Sequence, residues 1–162
     1  MNTFRRGVLL CLLLTATAGC DRVTKHLAVT TLAGSPGYSY LGDTVRLDYQ
    51  ENPGGFLSTG ATWRPATRAA VFQVANGVFL LGTLIVALRF QWSRLAAAGL
   101  VMFIAGGVSN LVDRVAMGSV IDFLNVGIGP LRTGIFNVAD MAIVAGIAVL
   151  IADRWRRDRA TV

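Results

Sequence analysis

Four long apolar runs, each close to the length a helix needs to cross a bilayer, leave this 162-residue chain little material for a water-soluble core. They cover residues 8–31, 69–88, 95–112 and 135–152. Crossing the hydrocarbon takes roughly 20 helical residues, with about 17–25 tolerated, and the second and third runs meet that without a break. The first is interrupted by Asp21, Arg22 and Lys25, and the fourth opens on Asn137 and Asp140. Only 15% of the residues are charged, where a soluble domain carries about 25%. The expectation is an all-α membrane protein of four transmembrane helices, one domain over residues 1–162, with its longest connection at residues 33–68.

The net charge of +6 marks an orientation and not a nucleic-acid partner. Arg5 and Arg6 precede the first run, Arg89 and Arg94 bracket the tight second connection, and Arg154, Arg156, Arg157 and Arg159 follow the last. These positions fall on one side of a four-span chain. Basic residues concentrate at cytoplasmic ends, so both termini are expected in the cytoplasm. Arg46, Arg64, Arg68, Arg114 and Arg132 lie on the other side, spread over two longer segments. Cys11 and Cys20 are separated by roughly 13 Å of helix, beyond disulfide reach. Arg5-Arg6, the apolar residues 8–14 and Thr17-Ala18-Gly19-Cys20 imitate a secretory signal ending in a lipoprotein-type cysteine. Three further spans follow and no soluble domain does, so the first run is read as a retained helix.

The outer connection begins with a turn, Gly34-Ser35-Pro36-Gly37. Residues 38–41 and 44–49 alternate enough for short strands around Gly42-Asp43, and Asn52-Pro53-Gly54-Gly55 ends that pattern. Phe56, Leu57, Ser58 and Trp63 are expected at the membrane interface, where aromatic rings are favoured.

Asp122 and Asp140 are the strongest pointers to chemistry. Carboxylates at the margin of hydrocarbon are costly, and they usually pair and serve chemistry or transport. The third span runs outward and the fourth inward, so Asp113, Asp122 and Asp140 share the outer face. Two carboxylates brought together cannot both ionise easily, and one keeps a proton near neutral pH. That is the proton arrangement of aspartic proteolysis. Structural readings compete at each position. Asn137 can cap the fourth helix with Asp140 at its third position, and Asp122 can be a strand-edge residue facing water. Asp113 and Arg114 can pair at a helix end, and Asp21 and Lys25, spaced i and i+4, can neutralise each other inside the first span. Asn110 and Asn137 can cap backbone groups or hold a carboxylate. Gly106-Gly107 permits close helix approach. His26 stands alone, with no cysteine pair at ligand spacing, so no metal site is expected. No serine has an obvious base, and no phosphate loop is present.

In chain order, the blocks are Asp21-Arg22-Val23-Thr24-Lys25, Asn52-Pro53-Gly54-Gly55-Phe56, Gly106-Gly107-Val108-Ser109-Asn110-Leu111-Val112-Asp113-Arg114, Val120-Ile121-Asp122-Phe123 and Phe136-Asn137-Val138-Ala139-Asp140. Through them the chain resembles the lipoprotein signal peptidase (signal peptidase II) family over nearly its whole length. The Asn52 block departs from the family's Asn-x-Gly-Ala-Ala-Phe pattern: it looks one residue shorter, with Pro53 and Gly55 in place of usual residues. The resemblance implies four transmembrane helices with a small extracytoplasmic β-cradle and an interfacial amphipathic helix. It implies an aspartic endopeptidase without cofactor or metal. Its substrates would be prolipoproteins whose future N-terminal cysteine carries diacylglycerol, cut just before that cysteine. Membrane lipids are the other implied partner, and a monomer is expected in the bacterial cytoplasmic membrane with its site at the outer face. By motif position the catalytic pair falls on Asp122 and Asp140. Asn52, Gly54, Asn110, Asp113, Arg114, Asn137 and Ala139 fall on substrate-binding or dyad-orienting positions, and Asp21 and Lys25 on structural ones. Asp113 stays open as an alternative member of the pair. The rival reading is a small multi-span transport protein that relays protons or ions through the same aspartates. A presenilin-type protease would need a Gly-x-Gly-Asp block within a span, and there is none.

Overall fold

The computed structural model describes residues 3–55 and 58–160. Its long elements are helices, as the lack of water inside a bilayer requires of any chain that must satisfy its backbone groups there. In order they are α1 (Thr3–Leu32), β1 (Tyr38–Tyr40), β2 (Val45–Asn52), α2 (Pro65–Arg68), a π-helical segment (Ala69–Ala75), α3 (Asn76–Arg89), α4 (Arg94–Met117), β3 (Val120–Ile128), β4 (Leu131–Arg132) and α5 (Val138–Ala160). Three helical stretches among the described residues are long and apolar enough to cross a membrane: Gly7–Leu32, Pro65–Arg89 and Arg94–Met117. The second is α2, the π-helical segment and α3 running on as one helix. α5 has 23 residues, but its apolar portion is short, closed by Asp153, Arg154, Arg156 and Arg157.

α4 is the central helix, packed against α1, α3, α5 and β3. Small residues let α5 come close. A Cβ on Gly99 would stand 2.8 Å from the Gly146 carbonyl oxygen, and one on Gly146 would stand 2.6 Å from that of Gly99. A Cβ on Gly106 would strike the carbonyl of Ala139, the residue before Asp140. α3 is held more loosely, and Leu80 is its one buried residue. At the opposite end of the bundle from the sheet, Ser93 caps α4 by accepting from the Ala96 amide, and its hydroxyl donates to Asp153 of α5 at 2.6 Å.

The four strands form one antiparallel sheet in the order β1-β2-β3-β4. α4 delivers the chain to it through Gly118, whose φ of 77° is the left-handed conformation that ends many helices. Side chains alternate along a strand, and β3 uses both faces. Ile121 and Phe123 pack with Ala28 and Leu32 of α1, with Leu47 and Tyr49 beside them. Asp122 therefore points the other way, across from Gln50 of β2 in the pairing register.

Several expectations change here. Phe136 bridges to Leu124 of β3, so the last helix begins at Val138 and not near residue 135. The described residues between Asn52 and Pro65 make bends and tight turns, and the expected interfacial amphipathic helix is not among them. Phe56 and Leu57 lie outside the described residues. Trp63 stacks on Phe72, ring centroids 5.9 Å apart.

Candidate active site

Four elements bring motif residues together at the sheet end of the bundle. Asp122, on β3, is 3% exposed and is no strand-edge residue facing water. Asn52, the last residue of β2, donates from Nδ2 to Asp122 Oδ2 at 3.0 Å. Asn137 donates from Nδ2 to Asp122 Oδ1 at 2.6 Å. Both amides are fixed in orientation by backbone donors: Gly54 N–H donates to Asn52 Oδ1 at 3.0 Å, and Asp140 N–H to Asn137 Oδ1 at 2.9 Å.

Asn137 is also the cap of α5, and Asp140 completes the box by accepting from the Asn137 N–H at 3.3 Å. The capping role read from the sequence is thus present, and it is how Asp140 is positioned beside Asp122. Asn110 of α4 donates from Nδ2 to Asp140 Oδ1 at 2.8 Å. The two carboxylates line one small cavity of about 20 Å³ with Asn52, Gly55, Asn110, Arg114, Val120 and Ile135. One water needs roughly 10–15 Å³ of such space. Two larger apolar grooves also reach Asp140. One, of about 420 Å³, runs along Ile135, Phe136, Met141 and Val144. The other, of about 640 Å³, lies between the π-helical segment, α3, α4 and α5, lined by Phe72, Phe79, Leu80, Phe103 and Ile147.

Burial pushes the Asp122 carboxyl up to about 6 from its ordinary 3.8, and the Asp140 charge adds to the rise. The amides of Asn52 and Asn137, and the charge of Lys25, pull the other way. A carboxyl so placed holds or releases a proton within the neutral range, as a general acid or base must.

A second polar cluster stands directly behind this one. Asp21 and Asp113 are both 0% exposed. Lys25 Nζ reaches Asp21 Oδ2 at 2.7 Å and Asp113 Oδ2 at 2.6 Å. Arg22 Nη1 meets Asp113 Oδ1 at 2.5 Å. The pairing of Asp21 with Lys25 is as expected, but the expected pair of Asp113 with Arg114 is not formed. Adjacent helical residues point about 100° apart, so Arg114 turns instead to the loop after β2. It donates from Nη2 to Gly54 O at 2.8 Å and lies over the Phe72 ring at 5.7 Å. Ala139 is fully buried, and its N–H donates to Asp21 Oδ1 at 2.8 Å. Gly54 has no room for a side chain, since a Cβ would meet Thr59 O and stand 2.9 Å from Ala61 N.

Three contributors were given no site role in the sequence. Ser109 donates to Asp21 Oδ2 at 2.6 Å, Gln73 donates to Arg114 O at 2.9 Å, and Phe72 supports both Trp63 and Arg114. Ser109 had a signal, being four residues before Asp113 on one helix. Gln73 and Phe72 had none, because π-helical winding shifts their facing.

The family model for signal peptidase (SPase) II matches residues 13–156. The lipoprotein signal peptidase of Desulforapulum autotrophicum is 36% identical over 152 residues, 93% of each chain. That of Rhodococcus jostii is 37% identical over 157 residues, 92% of this chain and 73% of the relative. A bacterial membrane enzyme solved by the in meso method superposes with a TM-score of 0.78 at 19% identity, over 91% of this chain and 88% of the other. That likeness is one of fold: a membrane enzyme with several apolar helices and a small antiparallel sheet. With the motif blocks, their convergence at one polar cavity and the match over most of its length, the chain belongs to the signal peptidase II family.

Proposed function

We propose that Asp122 and Asp140 are the catalytic pair of this enzyme, an aspartic endopeptidase of the signal peptidase II type that processes prolipoproteins. The observation that supports the pair is their shared cavity, with room for one water and amide donors on both carboxylates. One carboxylate, ionised, takes a proton from that water as its oxygen attacks the scissile carbonyl carbon. The other, protonated, donates to the carbonyl oxygen. Asn52, Asn110 and Asn137 hold the pair. Gly54 and Ala139 act through their backbone groups. Arg114 shapes the cavity wall and the loop above it. Asp21, Lys25 and Asp113 form the buried charged cluster that backs the pair.

The apolar grooves meeting at Asp140 suit a substrate with two greasy parts, a signal sequence and the diacylglyceryl chains on the cysteine. The scissile bond would lie where they meet. The shared arginine-rich end of α5 and the α3–α4 turn, tied by Ser93 and Asp153, supports an orientation with both termini cytoplasmic and the site outside. α5 then serves as the fourth span, and the β-sheet as the cradle. The site is complete within one copy, which supports a single-domain monomer. Nothing favours the transport reading: α5 carries no ionisable side chain between Asp140 and Asp153.

Purified protein given a prolipoprotein peptide with and without diacylglycerol on its cysteine tests this. Cleavage before the cysteine of the lipidated peptide alone is expected. Equal cleavage of both would remove the lipid from recognition, and flux of protons across vesicles without any cleavage would restore the transport reading.

A further inference from the structure

Lys25 is nearly inaccessible, 3% exposed, and its ammonium has three hydrogens to give. All three are placed: on Asp21 Oδ2, on Asp113 Oδ2, and on Asn110 Oδ1 at 2.8 Å. Two charges would have been enough to hold the lysine. The third bond has a separate effect, because an ammonium only donates. Whatever atom of Asn110 faces it must be the carbonyl oxygen, so the amide NH₂ must face Asp140. Asn137 Nδ2, at 3.3 Å from the same oxygen, enforces the same choice.

We infer that Lys25 is a positioning residue that, by locking the Asn110 amide, makes Asp140 the ionised member of the pair and leaves the proton on Asp122. This rests on the reading of Asp122 and Asp140 as the dyad and assigns their starting states. The surroundings of the two carboxylates differ in the required sense. Asp140 faces Lys25 of α1 through Asn110, Arg114 of α4 across the cavity, and the N–H groups of the first turn of its own helix, where a negative charge is favoured. On the side of the π-helical segment and the loop after β2, the groove that reaches Asp140 is lined, among the described residues, by the uncharged Gly55, Val71, Phe72 and Ala75. Asp122, the acidic group facing it, sits on a strand with no helix end; its hydrogen bonds come from neutral amides, and Lys25 and Arg114 reach it by charge alone, without a bonded amide between them.

The cycle balances with these states. Asp140 takes a proton from water, the water oxygen bonds to the carbonyl carbon, and the carbonyl oxygen takes the Asp122 proton. On collapse, Asp140 returns its proton to the amide nitrogen as the C–N bond breaks. One hydroxyl of the intermediate gives its proton to Asp122, restoring both residues.

The experiment is the pH profile of kcat for the full-length protein in lipid-containing micelles, with a diacylglyceryl peptide as probe. Asn110→Ala leaves Lys25 bonded to Asp21 and Asp113. It should lower kcat by about tenfold, keep KM within about twofold, and move the acid limb upward by about one pH unit. Lys25→Met should move that limb likewise, and the double variant no further. An unmoved limb in Asn110→Ala, or additive shifts in the double variant, overturns the inference. So does a Lys25→Met protein that loses only thermal stability. Where Lys25→Met yields no folded protein, Asn110→Ala carries the test alone. Asp122→Asn and Asp140→Asn run alongside: turnover by either would defeat the dyad reading itself, and inactivity of both isolates the lock as the thing tested.

Discussion

Asp21 and Asp113 lie at the same end of the bundle as Asp122 and Asp140, and Lys25 and Asn110 are shared between the two clusters. All four aspartates come from apolar surroundings. The rear pair is answered by full positive charges, Lys25 and Arg22, at 2.5–2.7 Å. The front pair is answered by carboxamides, which favour a carboxylate's charged form without neutralising it. Depth and residue type are therefore poor guides to role. What separates a carboxylate that holds helices together from one that can trade protons is the charge of its partner.

The largest effect on this contrast should come from neutralising the front pair. Asp122→Asn or Asp140→Asn is expected to lower kcat by about 10⁴, with helix content and insertion retained, measured as turnover of a lipidated peptide and by circular dichroism. Stability should carry the sign of the Asp122 shift. Its carboxyl is raised to about 6 in the folded chain, so it favours folding below its ordinary value and that contribution is lost as pH rises through 6. The Tm of the parent protein relative to Asp122→Asn should then fall between about pH 4 and pH 7. A constant difference would show that Asp122 does not titrate there.

Breaking the rear pair should act on the fold. Asp113→Asn leaves the buried Lys25 short of a charge and should cost about 3–5 kcal/mol, read as Tm and folded yield. A variant that folds normally yet is inert would move Asp113 into the dyad. A smaller change sharpens the front pair alone. Asn52→Ala removes a donor that holds the Asp122 charge, so the basic limb of the kcat profile should move upward, with about a tenfold loss of rate. The smallest expected effect lies at the far end of α5. Arg154→Gln breaks an exposed pair with Asp158 and should change stability by less than about 0.5 kcal/mol.

Much of this arrangement was legible along the chain because its signals are local. Helix lengths follow from the apolar runs, the short strands from alternation, and the Asn137–Asp140 box from a three-residue spacing. The motif blocks pointed to Asp122 and Asp140 as the pair proposed above. What stayed hidden depends on distant partners. Asp113 finds Arg22 and Lys25 about 90 positions earlier in the chain, and nothing next to it announces that choice. Asp122 reads as an edge residue until β2 is seen to cover its strand. The start of α5 was misplaced because Phe136 is apolar enough to extend the run, yet it is spent on pairing with Leu124. The π-helical segment has no compositional mark at all.

The reciprocal glycine contact between α4 and α5 leaves those two helices no slack, and Gly106 extends the seam to the backbone beside Asp140. One jaw of the larger groove is thereby tightly packed, while the other, α3, buries a single leucine. A guest entering that groove would gain space more readily on the α3 side than by parting α4 from α5. On the function proposed above, the seam works as a caliper: bulky, variable chains could enter while the backbone that carries Asp140 keeps its place.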